Sequence, residues 1–543
     1  MSSARSAPVL MVAGTASSVG KSLLVAGLCR IFAQDGLRVA PFKAQNMSLN
    51  SYATRDGREL GRAQAMQAQA AGVEPVVEMN PILLKPEGDA RSQVVAMGRP
   101  WATLKAGDYY GRRQALWQFV TGSLDTLRAQ YDLVIVEGAG AAVEPNFRSS
   151  DIVNMPVARY AQAATLLAGD IDRGGVFGAL LGTLELMSTE DRALIRGFII
   201  NKFRGDRALL EPALAFITER TGVPVLGVVP HLGTLRIADE DSVVLEQPSP
   251  PAPLPKAERG DGLIDIAVIR LPHMANFDDF DALALEEGVR VRFVASPEEM
   301  GRPDAIILPG SKTTIADLSF VNETGLAAAI GAQARSGCAV AGICAGYQML
   351  GHMIRDPLHV ESERDASPGL GLLPVETMFA REKATEQVQA RIAAECGFLA
   401  EIAGQTITGY EIHMGRTTGF LRKTESSSEW SHGPMRTDGE DGSYAGRPAG
   451  EPAPTALLHV MQRGDERVND ADGAVDESGR IFGVYLHGIF DNPNFRRAWL
   501  NSLRPHATSA ETLHAQRERE YDRLAAALRA ALDMGAIRGM IGQ

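Results

Sequence analysis

Two short segments carry residue types that chemistry needs, at spacings that local structure can use. In the first, Gly14-Thr-Ala-Ser-Ser-Val-Gly20-Lys21-Ser22 lies between an apolar run, Val9 to Val12, and an apolar helical stretch. Glycines let backbone N–H groups turn inward on phosphates, and a helix start adds partial positive charge. A lysine neutralises phosphate oxygens, and a serine hydroxyl can ligate magnesium. The segment predicts a phosphate-binding loop for ATP and Mg2+, with Gly14, Thr15, Gly20, Lys21 and Ser22 on the nucleotide and Ser22 also on the metal. Five residues, not four, separate the two glycines, so the loop is a lengthened variant.

In the second, the strand-like run Ala339 to Ile343 leads into Gly342-Ile-Cys344-Ala-Gly346. A cysteine between small residues at a strand-to-helix turn is what a nucleophile elbow requires. A helix start behind Cys344 favours the thiolate, and the N–H of Ala345 could stabilise an oxyanion. A thiolate nucleophile wants a histidine base. His487 stands just beyond the run Ile481 to Leu486, and His413, in Gly-Tyr-Glu-Ile-His-Met-Gly, is the rival base, read as structural or interfacial. Gly310, in Leu308-Pro-Gly-Ser-Lys312, offers the second oxyanion N–H.

Further candidates surround the phosphate loop. Glu137 ends the run Leu133 to Val136, where a carboxylate is well placed for magnesium. Asp170 and Asp172, also after a strand-like run, divide between metal or phosphate work and loop structure. Lys43, after Val39 to Pro41, could meet a substrate carboxylate or the transferred phosphoryl group. Asn201, beside Lys202, stands where either a nucleotide base or a loop cap is served.

The elements that must position these groups follow from the pattern of the chain. Its 543 residues exceed one compact core, and 45% apolar with 22% charged residues is an ordinary globular balance. The net charge of -12, with no dense basic block, speaks against nucleic acid as a partner. No apolar run reaches the ~20 residues of a membrane helix, and Met1 to Pro8 lacks the regions of a signal peptide, so a cytoplasmic location without membrane insertion is expected. Cys29, Cys338 and Cys396 read as packing residues. None of the cysteines forms a CxxC pair, which argues against zinc and disulfides.

Short β-rich runs at Val9, Val39, Leu133, Thr165, Gly197 and Val225 alternate with helical stretches, which predicts a doubly wound parallel sheet over residues 1–245. A proline-rich stretch, 246–262, reads as a linker. Runs at Ile264, Ala305, Ala339 and Ile481 predict a second α/β domain over 263–505, with a polar surface excursion from Arg422 to Pro454. A helical tail, 506–543, begins with the capping-box pattern Thr508-x-x-Glu511.

The lengthened phosphate loop, similar to that of dethiobiotin synthetase, together with a Gly-x-Cys-x-Gly elbow and a distant histidine, resembles the cobyric acid synthase family. The resemblance covers nearly the whole chain and is sharpest in Ala40-Pro-Phe-Lys-Ala-Gln-Asn-Met-Ser-Leu-Asn50, Gly61-Arg-Ala-Gln-Ala-Met-Gln-Ala-Gln-Ala70 and Met79-Asn-Pro-Ile-Leu-Leu-Lys-Pro86. It implies an N-terminal P-loop NTPase-like domain, of the dethiobiotin-synthetase kind, fused to a class I glutamine amidotransferase-like domain. It also implies a cobalamin-synthesis enzyme with L-glutamine and a corrinoid, adenosylcobyrinic acid a,c-diamide, as substrates, amidated at the b, d, e and g carboxylates to adenosylcobyric acid. By motif, Cys344 is then the nucleophile and His487 its base. Most class I amidotransferases follow the histidine with Pro-Glu, whereas here His487 is followed by Gly-Ile-Phe, so the usual third triad member is missing from its place.

Overall fold

A computed structural model describes residues 6–88, 91–147, 151–233, 235, 237, 263–419, 421–423, 430–432, 455–505 and 512–543. Two compact units emerge: Met1–Thr54 with Arg58–Ser242 and His514–Gln543, and Arg55–Gly57 with Val243–Leu513. The proline-rich stretch 246–262, the capping-box pattern at 508–511 and most of 422–454 lie outside the described residues.

The first unit is built on six parallel strands in the order Val225–Pro230, Ile195–Phe203, Ala164–Asp170, Val9–Gly14, Leu133–Glu137, Val39–Phe42. Their runs are continuously apolar because helices cover both faces, and Leu10, Met11, Val12 and Ala13 are fully buried. Strand order reverses beside Val9–Gly14, whose neighbours are Ala164–Asp170 and Leu133–Glu137. A crevice at such a switch point is where open α/β sheets bind ligands.

The helices Leu513–Ala531 and Met534–Met540 complete this unit. Tyr521, Leu524, Ala525 and Leu528 share a buried cluster with Leu24, Leu28 and Phe32 of the helix Lys21–Gln34. The fit is close: a Cβ on Gly27 would stand 2.3 Å from Leu528 Cδ1. Arg30 pairs with Asp522 at 2.8 Å and Arg529 with Asp35 at 2.7 Å along the rim of the contact.

The second unit holds a mixed sheet. Its parallel part runs Val289–Val294, Ile264–Ile269, Ala305–Leu308, Ala339–Ile343, Ile481–Val484. It continues into long antiparallel strands, Glu466–Val475, Thr455–Arg463, Glu376–Ile392 and Thr406–Thr418. These arms, and a four-stranded sheet in the first unit, Gln45–Met47, Ile82–Gly88, Arg91–Ala96 and Arg99–Lys105, have no counterpart among the apolar runs of the sequence. Glu376–Ile392 carries charged and polar residues along both faces, so its alternation is too weak to stand out as a strand. No helix among the described residues is long and apolar enough to cross a membrane.

Candidate active sites

Three adjacent parallel strands deliver the candidate glutamine-site residues from their C-terminal ends. Cys344 follows Ala339–Ile343, Gly310 follows Ala305–Leu308, and His487 follows Ile481–Val484. Ile343 is in register with Val484, and the Cys344 N–H donates to Val484 O at 2.8 Å. Cys344 sits at φ 53°, ψ −108°, a strained setting for a residue with a side chain. Close packing imposes it: a Cβ on Gly346 would stand 1.9 Å from Leu308 O, so only glycine lets the elbow approach that strand.

His487 is buried, and its Nδ1 lies 2.7 Å from Asp279 Oδ2. The other oxygen, Asp279 Oδ1, accepts the Gly488 N–H at 2.8 Å. Holding Nδ1 on a carboxylate fixes the ring and leaves Nε2 clear of that carboxylate, with Cys344 close enough to favour the imidazolium. The Asn276 amide stands 3.3 Å from Nε2. Burial opposes the imidazolium, but the Asp279 carboxylate and Cys344 outweigh it and hold the His487 pKa well above its ordinary value. A Cβ on Gly310 would meet His487 Cε1 at 3.2 Å and Cys344 Cβ at 3.8 Å, so Gly310 borders the pair. Ala345 opens the helix Ala345–Leu350 next to the thiol.

His413 belongs to the strand whose Ile412 O accepts from Cys344 Sγ at 3.5 Å. Its Nδ1 is engaged by Gly415 O at 2.8 Å, its Nε2 stands 3.7 Å from Glu411, and its ring stacks on Tyr485 at 3.8 Å. Asp279 is the residue that sequence reasoning missed. It occupies a short turn, Phe277–Phe280, 208 positions before the histidine. The only local signal is an acidic pair in the stretch after a strand.

In the first unit the loop after Val9–Gly14 delivers Lys21 and Ser22 at the start of Lys21–Gln34, with Gly20 at φ 92°. Val12 is in register with Glu137, which carries the carboxylate to the same end of the sheet. Glu137 is 1% exposed, and its Oε1 accepts from Ser22 Oγ at 3.0 Å and from Lys43 Nζ at 2.9 Å. Lys21 Nζ donates to Ala16 O at 3.0 Å and Gly140 O at 2.9 Å, curled over the loop. The Thr15 N–H donates to Ala168 O at 2.9 Å, and a Cβ on Gly14 would stand 3.0 Å from Lys21 Nζ. Asn201 Nδ2 donates to Val19 O at 2.8 Å and Lys202 Nζ to Ser18 O at 2.6 Å, so this pair braces the loop from Ile195–Phe203, the next strand but one in the sheet. Asp170 pairs with Lys202 at 3.0 Å and Asp172 with Arg204 at 3.1 Å.

Magnesium fits the oxygens gathered here. Ser22 supplies a hydroxyl and Glu137 a carboxylate, whose Oε1 Ser22 and Lys43 share in this structure. These are hard oxygen donors of the kind magnesium takes. Among the described residues, no cluster of three or more His, Cys, Asp or Glu offers a rival metal site.

Residues 10–243 match the family model of the CobQ/CobB/MinD/ParA nucleotide binding domain, and residues 265–450 that of the CobB/CobQ-like glutamine amidotransferase domain. The cobyric acid synthase of Dehalococcoides mccartyi (strain CBDB1) is 45% identical over 539 residues, 99% of each chain. That of Sorangium cellulosum (strain So ce56) is 49% identical over 550 aligned residues, 98% of each chain, and that of Chloroflexus aggregans (strain MD-66 / DSM 9485) 50% identical over 497, 92% of each. The chain belongs to the cobyric acid synthase family. Like the rest of that family it is an amide ligase that pairs a nucleotide-binding domain with a glutamine amidotransferase domain. In this cobyric acid synthase family member, the phosphate loop lies in the first unit and the cysteine elbow in the second.

Proposed function

We propose that this chain amidates the b, d, e and g carboxylates of adenosylcobyrinic acid a,c-diamide, using one glutamine and one ATP each time, to give adenosylcobyric acid. The observation that carries the reading is an elbow cysteine, Cys344, beside a buried histidine whose Nδ1 is held by a buried carboxylate. Such an array, in a family of amide ligases, serves to take ammonia from glutamine.

In the second unit the Cys344 thiolate attacks the glutamine amide carbon, forming the C–S bond. The oxyanion is met by the N–H groups of Ala345 and Gly310. His487 Nε2 gives its proton to the leaving nitrogen, and ammonia departs as the C–N bond breaks. Water then attacks the thioester, His487 takes its proton, and glutamate leaves with the thiolate restored. Asp279 holds the His487 ring in the tautomer these transfers need and stabilises its cation.

In the first unit ATP is bound through the loop, Lys21 and Ser22. A side-chain carboxylate of the corrinoid attacks the γ-phosphorus, ADP leaves, and an acyl phosphate forms. Ammonia then displaces phosphate to give the amide. Lys43 stabilises charge on the transferring phosphoryl group, and Glu137 holds the Lys43 ammonium in place. Ser22 and Glu137 would hold Mg2+, which supplies charge neutralisation on the phosphate oxygens.

The test is incubation with Mg-ATP, glutamine and adenosylcobyrinic acid a,c-diamide, with the corrinoid followed by mass spectrometry. Four successive replacements of OH by NH2 are expected. Consumption of ATP and glutamine with no change in corrinoid mass would assign the enzyme another carboxylate substrate.

A further inference from the structure

Gln67 lies in the helix Arg62–Ala70, inside one of the segments that the family resemblance marks, and no step above uses it. Its side chain is fully buried against the phosphate site. Nε2 donates to Glu137 Oε2 and, at 3.3 Å, to the backbone oxygen of Ser22. Both partners are acceptors only, so the orientation of the amide is fixed: nitrogen faces them and oxygen faces away. That remaining oxygen, Oε1, is buried without a hydrogen-bond partner.

The two oxygens of Glu137 are thereby divided. Oε2 is taken by Gln67, while Oε1 meets Ser22 Oγ and Lys43 Nζ. A carboxylate anchored through one oxygen presents the other in a fixed direction, and partners of this kind beyond the ligands set both geometry and affinity in metal sites. Placing Nε2 on Glu137 leaves Oε1 buried without a donor. A buried acceptor without a donor is costly, and such atoms are few in folded proteins.

We propose that Gln67 is a positioning residue of the magnesium site. Its Nε2 aims Glu137, one of the two residues that would hold the ion. The inference rests on the reading of Ser22 and Glu137 as the metal site. It makes the helix Arg62–Ala70 a wall of the phosphate site, in addition to the loop and the strand ends.

The test uses the full-length protein with Mn2+ as the probe, its binding in the presence of ADP followed by electron paramagnetic resonance. Gln67→Met keeps the side-chain volume and removes both polar atoms, and Glu137→Gln reports on the metal site itself. Gln67→Met is expected to weaken Mn2+ by about 10- to 100-fold. Affinity for ADP without metal, and hydrolysis of glutamine, are expected to remain unchanged. Weakened Mn2+ binding in Glu137→Gln but not in Gln67→Met overturns the role of Gln67 alone, and unchanged binding in both overturns the metal site with it. Equal losses of Mn2+ and of metal-free ADP would make Gln67 a structural support of the loop and overturn the proposal.

Discussion

His487 Nδ1 and Asp279 Oδ2 are 2.7 Å apart although 208 positions separate them in the chain. The acid that most class I amidotransferases carry two residues after the histidine is here supplied by a turn that follows a different strand.

Asp279→Asn tests that pairing through pH. His487 is held above its ordinary value, so the pair's contribution to stability is fully present below the unfolded-state pKa of about 6.5. It is lost as pH rises through the higher folded-state value. The deficit in Tm of the variant should therefore be largest at about pH 5 to 6.5 and shrink under alkaline conditions. Glutamine hydrolysis should fall about 100- to 10,000-fold. A Tm deficit that stays constant with pH would place Asp279 in packing alone.

Cys344→Ser should lower glutamine-dependent amidation by about 1,000-fold or more. Amidation supported by added ammonium salt should survive, because the ATP-using chemistry resides in the other unit. Rates with both nitrogen sources, measured on one preparation, check this. Loss of both would contradict the division of labour.

Lys21 and Lys43 should separate kinetically. Lys21 lies in the loop that grips phosphates, so Lys21→Ala should weaken ATP binding. Lys43 is held by Glu137 at 2.9 Å, and the proposed mechanism has it stabilise charge that develops during transfer. Lys43→Met should lower kcat by about 100- to 1,000-fold with a much smaller change in the KM for ATP. Steady-state kinetics with ammonium as nitrogen source avoid any contribution from glutamine hydrolysis.

Leu528→Ala tests the tail. Leu528 is fully buried against Gly27, and removing its branched end leaves a void there. A loss of about 2–5 kcal/mol in the stability of the first unit is expected. Calorimetry with and without ADP identifies which transition moves, because a ligand stabilises only the unit that binds it.

What could be read along the chain was local. The turn at Gly14 to Ser22 and the elbow at Gly342 to Gly346 need particular residue types within a few positions. The apolar runs before them read as buried parallel strands, so chemistry and strand ends were legible together. Starts of the main strands agree with those runs: Ile264–Ile269, Ala305–Leu308 and Ala339–Ile343 fall where the apolar pattern ends them. Polar strands such as Thr406–Thr418 were not legible, because their pairing partner rather than their own pattern makes them strands.

The sequence by itself determined the family, the two local motifs, and the candidate residues those motifs carry. Tertiary structure alone decided who supports them: Asp279 behind His487, Gln67 behind Glu137, Asn201 beneath the phosphate loop, and Leu528 against Gly27. Turn chemistry is written in neighbouring residues because backbone conformation is a local property. A supporting partner is chosen by strand order and helix packing, which bring together side chains tens to hundreds of positions apart and leave no mark in the spacing of either.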